Sequence, residues 1–195
     1  MQLIIKILKD SFDIILVIFI CFLILFNPYV RPKQVVGYGY WSIQKREHRL
    51  MLGLTGHTFI ELRDANDKVI AQLHGLATDK VTNKWKEVGD SDEDYLKVWE
   101  FDQDKYKEYK GIDIGKTSVN IVTGKEDEMR AKWQEMVICG VEINKVEIKY
   151  PKYGFKIFSE TENSNSVAHS LLLCAGLKDK EIGLITPGGS TDLIK

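Results

Sequence analysis

The sequence predicts an α+β domain behind an N-terminal membrane helix. Three observations predict it. Residues 14–26 form an unbroken apolar run, IILVIFICFLILF. Short β-prone stretches with period-two alternation fill the first part of the remaining chain. Two segments with helical spacing close it. Strands first and helices afterwards indicate segregated α and β elements, not a doubly wound sheet.

The apolar run is short for a span, about 20 Å as a helix at ~1.5 Å per residue. Extended from Phe12 to Val30, it approaches the roughly 30 Å hydrocarbon core. Asp13 and Asn27 then fall near the two interfaces, and Pro28 and Pro32 stop the helix. The run has no polar face, which argues against a buried core helix. A cleaved signal peptide needs a small-x-small site, but FNPYVRP comes next, bulky and proline-rich. An uncleaved single-pass anchor over residues 1–30 is therefore expected, with one domain over 31–195. Positive-inside counting leans towards a cytoplasmic domain, through Arg31, Lys33, Lys45 and Arg46 against Lys6 and Lys9. Long domains translocate largely regardless of charge, so the side stays open.

Composition narrows the class. Hydrophobic residues make up 44% and charged residues 28%, which excludes both disorder and an all-membrane protein. A net charge of −1 gives no footprint for nucleic acid. Of three cysteines, Cys21 lies in the apolar run, and Cys139 and Cys174 are free to form one disulfide. There is no CxxC spacing for zinc. The acidic run 89–94, GDSDED, lacks the ligand pattern of a calcium loop. The GKTS at 115–118 would need a glycine at 110 to be a phosphate loop, and Lys110 stands there.

Residues 35–43, VVGYGYWSI, are aromatic and β-prone and read as a first strand. The charged QKREHR after it reads as a loop. Residues 58–62 and 69–73 read as a hairpin around RDANDK. Residues 95–101 and 117–122 read as two further strands. Residues 126–144 have acid in the first turn and Met129, Trp133, Met136 and Val137 at helical spacing, hence a helix. Residues 150–158 are aromatic and extended or looping. A second helix runs from Ser164 to about Cys174, with Val167, Leu171, Leu172 and Cys174 towards the core and Gly176 as its stop. The tail 187–194, PGGSTDLI, is turn-rich.

Two stretches carry candidate chemistry. In GHTFIELRDANDKVIAQLHG, His57 begins one strand and His74 ends the next. A turn centred on Ala65 and Asn66 sets Leu62 opposite Val69, Ile60 opposite Ala71, Thr58 opposite Leu73 and His57 opposite His74. Directly opposed side chains are about 5 Å apart at Cβ. A turn centred one residue later would break that pairing. In ENSNSVAHSLL, polar residues stand at the mouth of an apolar helix. A hydroxyl there sits at a positive dipole end, which favours an oxyanion.

This order resembles the permuted papain-like NlpC/P60 superfamily, including its lecithin retinol acyltransferase type: Gly-His, a strand, a turn, a strand ending in His, then Asn and a nucleophile opening a helix. The resemblance implies a small antiparallel sheet packed on helices and acyl chemistry on an amide, ester or peptide bond. It implies no metal and no organic cofactor. Carried over, His57 is the general base and His74 orients it. Asn163-Ser164 stands where the family has Asn-Cys, which makes Ser164 the nucleophile, with Ser166 two residues on. Asn163 or a helix-mouth amide helps hold the oxyanion. Glu61, on the strand face of His57 and Phe59, is an alternative third member, and Asp192 in the tail a weaker one. His48 and His169 have no partner in this scheme. The partners implied are the membrane, through the N-terminal helix, and a peptide or acyl-linked substrate.

The replacement of sulfur matters. A thiol is partly ionised at neutral pH, and an unassisted serine hydroxyl is not. Read singly, Ser164 and Ser166 are helix caps and His57 and His74 are structural. The second expectation is thus an inactive papain-like module that binds a peptide, a lipid group or a protein.

Overall fold

The computed structural model describes residues 39–50, 55–86, 89, 93–102, 117–151, 161–182 and 188–194. The expected anchor over 1–30 lies outside them. Among the described residues, no helix is long and apolar enough to cross a membrane.

The architecture is α+β, a small antiparallel sheet packed on two helices. The strands are β1 (Trp41–Leu50), β2 (Thr55–Arg63), β3 (Val69–Asp79), β4 (Trp85–Lys86), β5 (Asp94–Asp102) and β6 (Thr117–Gly124). The helices are α1 (Glu126–Lys145) and α2 (Ser164–Cys174). The strands run β4-β3-β2-β1-β6, and β5 also pairs with β3. One edge of β3 is lined by β5 along its length. The other edge is shared by β2 at Ala71 to Leu73 and β4 at Ala77 and Thr78. Beyond Leu73, then, β2 and β3 part.

Strand alternation divides the sheet into two faces. Ile43, Ile60, Leu62, Leu73, Ala77, Leu96 and Val98 turn to the helices and form the main core with Met129, Trp133, Met136, Val167, Leu171 and Leu172. The opposite face carries the polar row of β2 and β3, together with Leu76 and Phe101. Helix α1 is set on the sheet by side chains that stand in for strand neighbours. Asn144 accepts from the Val98 N–H at 2.6 Å, and its amide donates to the Val98 carbonyl at 3.0 Å. Trp133 Nε1 donates to Glu100 at 2.8 Å. Cys139 and Cys174 are joined as a disulfide that ties α1 to α2. Cys174 was expected to face the core, but it lies at the exposed end of α2 and reaches its partner from there.

One expectation is overturned in kind. QKREHR is not a loop but the middle of β1, paired with β2 on one side and β6 on the other. Its charges are tolerated because tertiary partners meet them. Lys45 Nζ donates to both oxygens of Asp179, at 2.8 and 3.0 Å, and Arg46 lies 3.6 Å from Glu61. His169, for which the sequence suggested no partner, shares that acid: its Nδ1 is 2.8 Å from Asp179.

Candidate functional site

The site begins with the hairpin. Asp64 accepts from the backbone N–H groups of Asn66 and Lys68, at 2.9 and 2.8 Å, and Asp67 takes a positive φ of 62°. With a bulge between Leu62 and Arg63, the turn is centred later than the sequence pattern places it. Ile60 therefore pairs with Leu73, Glu61 with Gln72 and Leu62 with Ala71. The direct opposition of His57 and His74 is lost, as expected for such a turn. Their meeting survives, which was not expected. The register differs by two residues, an even number, so both rings keep their face and become diagonal neighbours. His57 Nε2 and His74 Nδ1 are 3.0 Å apart. Phe59, just beyond the last β2–β3 pair, stacks on His74, with ring centroids 4.4 Å apart.

A buried polar row continues from that pair. His74 Nε2 is 2.9 Å from Gln72 Oε1. Gln72 Nε2 donates to Glu61 Oε1 at 2.7 Å. Glu61 Oε2 accepts from Arg63 Nε at 2.8 Å and pairs with Arg63 Nη2 at 2.7 Å. His57, Glu61, Arg63, Gln72 and His74 are all buried. Glu61, weighed as a substitute for His74, instead belongs to the same row two links further back. Desolvation pushes His57 down to about 3, helped by His48, which lies opposite it on β1. His74 is also held well below the usual imidazole range, first by burial and then by His57 and His48. Both rings are neutral at pH 7.

The helix mouth meets the sheet where β2 and β3 part. Asn165 Oδ1 accepts from both the N–H and the hydroxyl of Thr58, each at 2.8 Å. Gly75 gives the close approach: a Cβ there would stand 2.6 Å from Val167 Cγ2 and 2.9 Å from the Ser164 Cα. Thr58 follows His57 and Gly75 follows His74, so the mouth rests on the immediate neighbours of both imidazoles. Gly75→Ala should destabilise the domain by about 1–3 kcal/mol. Urea unfolding of the full chain in detergent micelles measures this, and an unchanged midpoint would contradict the packing described.

The serines themselves have other partners. Asn163 is the N-cap, with Oδ1 accepting from the Asn165 N–H at 2.9 Å and the Ser166 N–H at 3.4 Å. Ser166 Oγ accepts from the Asn163 N–H at 3.2 Å and donates to the Thr161 carbonyl at 2.7 Å. Ser164 is hydrogen-bonded with Tyr150, whose hydroxyl burial pushes up to about 12. Among the described residues, no hydrogen bond joins either serine to His57. The imidazoles stand on the sheet face away from the helices, and the serines approach from the helix side. Asp192 caps the tail locally, accepting from the Ile194 N–H at 3.0 Å.

Sequence reasoning missed Gln72, Arg63, Asn165 and Tyr150. Gln72 and Arg63 were accessible in principle, since each stands two residues from a residue already singled out on the same strand. Asn165 and Tyr150 act through tertiary contacts that carry no local signal. Among the described residues, no group of three or more His, Cys, Asp or Glu could hold a metal ion. No protein-family profile, curated protein or solved structure matches the chain.

Proposed function

We propose that this chain is a membrane-anchored, papain-like domain of NlpC/P60 type that hydrolyses or transfers an acyl group from an amide, ester or peptide bond. The observation that carries the reading is the buried His57–His74 pair, backed by three further residues and set beside the mouth of α2. The chemistry requires Ser164 to leave Tyr150 and come within reach of His57, whose ring stands on the other face of the sheet. Once together, Ser164 attacks the acyl carbonyl, while His57 takes its proton and returns it to the departing amine or alcohol. Water, or a second hydroxyl or amine, then takes the acyl group from Ser164. A neutral His57 is free to accept a proton at pH 7. Its burial makes it a weak base until negative charge develops beside it, and the helix dipole end holds that charge at the acyl oxygen. The Cys139–Cys174 disulfide supports a domain on the oxidising side of the membrane.

The second reading, a papain-like module that binds without catalysis, is favoured by the placement of the serines, which approach from the sheet face opposite to His57. Ser164 and Ser166 both have structural partners, Tyr150 and Thr161. A fluorophosphonate probe on the full chain in detergent micelles separates the two. Labelling should occur on Ser164 and disappear in Ser164→Ala and in His57→Ala. An unlabelled wild type, or labelling that persists when Ser164 and Ser166 are both alanine, would leave the binding module as the better reading.

A further inference from the structure

The row behind His57 has a direction, because only one arrangement of protons satisfies it. Glu61 is paired with Arg63, and a carboxylate can only accept hydrogen bonds. The amide nitrogen of Gln72 must therefore face Glu61, which turns the amide oxygen to His74 Nε2. An amide oxygen can only accept, so His74 carries its proton on Nε2. Burial keeps His74 neutral, which leaves its Nδ1 bare. The bare Nδ1 must accept from His57 Nε2, and His57 is neutral as well. The lone pair of His57 thus resides on Nδ1, the ring nitrogen not used in the bond to His74.

We propose that Gln72, Glu61 and Arg63 are positioning residues that fix the tautomer of His57 through His74 and leave its Nδ1 as the basic nitrogen. The inference rests on the reading of His57 as a base, and extends it to three residues that touch no substrate. Arg63 fixes the Glu61 carboxylate, Glu61 fixes the Gln72 amide, and Gln72 fixes His74. A histidine pair without such an anchor could exchange donor and acceptor roles and present either nitrogen. Other charged or titratable groups also face this row. His48 lies opposite His57, and Arg46 lies 3.6 Å from Glu61 on the side away from Gln72. His48 helps hold both rings neutral, and Arg46 reaches the Glu61 oxygen that Gln72 does not use.

The test reads ring nitrogens directly. The full chain is labelled with ¹⁵N-histidine in detergent micelles, and long-range ¹H–¹⁵N correlation distinguishes protonated from bare nitrogens. In the wild type, His57 and His74 should each be protonated on Nε2 and bare on Nδ1. Gln72→Met keeps the side-chain shape and removes both hydrogen-bonding ends. It should average the two nitrogens of His57 and lower fluorophosphonate labelling by roughly 10²-fold. A proton on Nδ1 of either ring in the wild type overturns the proposal, and this needs no variant to fold. An unchanged His57 tautomer in a folded Gln72→Met protein overturns it too. The expected tautomers in a wild type that takes no label would support the relay and reject the serine chemistry, so the two failures are distinguishable.

Discussion

Lowering the pH from 7.5 to 5 should remove about 2 kcal/mol of folding stability through His57 alone. In the unfolded chain this ring titrates near its ordinary 6.5, whereas in the folded domain burial and His48 hold it at about 3. Above pH 6.5 both states are neutral and no stability is lost. Between 6.5 and about 3 the unfolded chain takes up a proton that the folded one refuses. Stability falls by ~1.4 kcal/mol for each pH unit, approaching ~5 kcal/mol over the whole interval. His74 is displaced in the same direction and adds to the loss. Urea unfolding of the full chain at pH 7.5, 6 and 5 measures it. A double variant, His57→Gln with His74→Gln, should flatten most of the dependence in that range. Equal wild-type midpoints at pH 7.5 and 5 would mean that the rings are not buried neutral, and the relay behind His57 would go with them.

The legible parts of this fold were those whose cause is local. Acidic residues in the first turn of α1 and the apolar spacing of Met129, Trp133 and Met136 located that helix within one residue. The polar cap at Asn163 and the stop at Gly176, with φ of 67°, bounded α2. Local rules failed where a strand is stabilised from outside itself. β1 looks unfit for a sheet interior, yet Asp179 and Glu61, distant in sequence, neutralise Lys45 and Arg46. The length of β3 was missed because its second half pairs with β4 and β5 rather than with its hairpin partner.

The candidate site was legible to the extent that parity alone could place it. Alternation fixed the common face of His57, Glu61 and His74, and that inference withstood the turn shift. It could not say which sheet face the helix mouth would approach. That depends on the split between β2 and β3, on Gly75 admitting the Ser164 backbone, and on Asn165 bonding Thr58 beyond the last β3 pair. The hydroxyl of Ser164 bonds Tyr150, a residue whose neighbourhood is defined by the bridge between Tyr95 and Lys149. Nothing within the stretch from Glu162 to Leu172 encodes such a partner.

Opening the Cys139–Cys174 disulfide should destabilise the domain by ~4 kcal/mol, the loop-entropy value for its sequence separation of 35 residues. At this domain size that corresponds to a Tm lower by roughly 10 °C. The bond joins the two helices that cover one face of the sheet, and α2 carries the candidate site at its opposite end. Without it, α2 stays on the sheet through Val167, Leu171 and Leu172 and the Asn165–Thr58 hydrogen bonds. Reduction should thus weaken the domain without unfolding it at 25 °C. Cys174 is at the surface, so a reductant reaches the bond in the folded state. Thermal melts of the full chain with and without reductant, beside a Cys139→Ala/Cys174→Ala variant, test this. The variant should melt near the reduced wild type and ignore the reductant. A wild type equally indifferent to reductant would mean that the bond does not form in the purified protein, and the argument for an oxidising compartment would then lose its support.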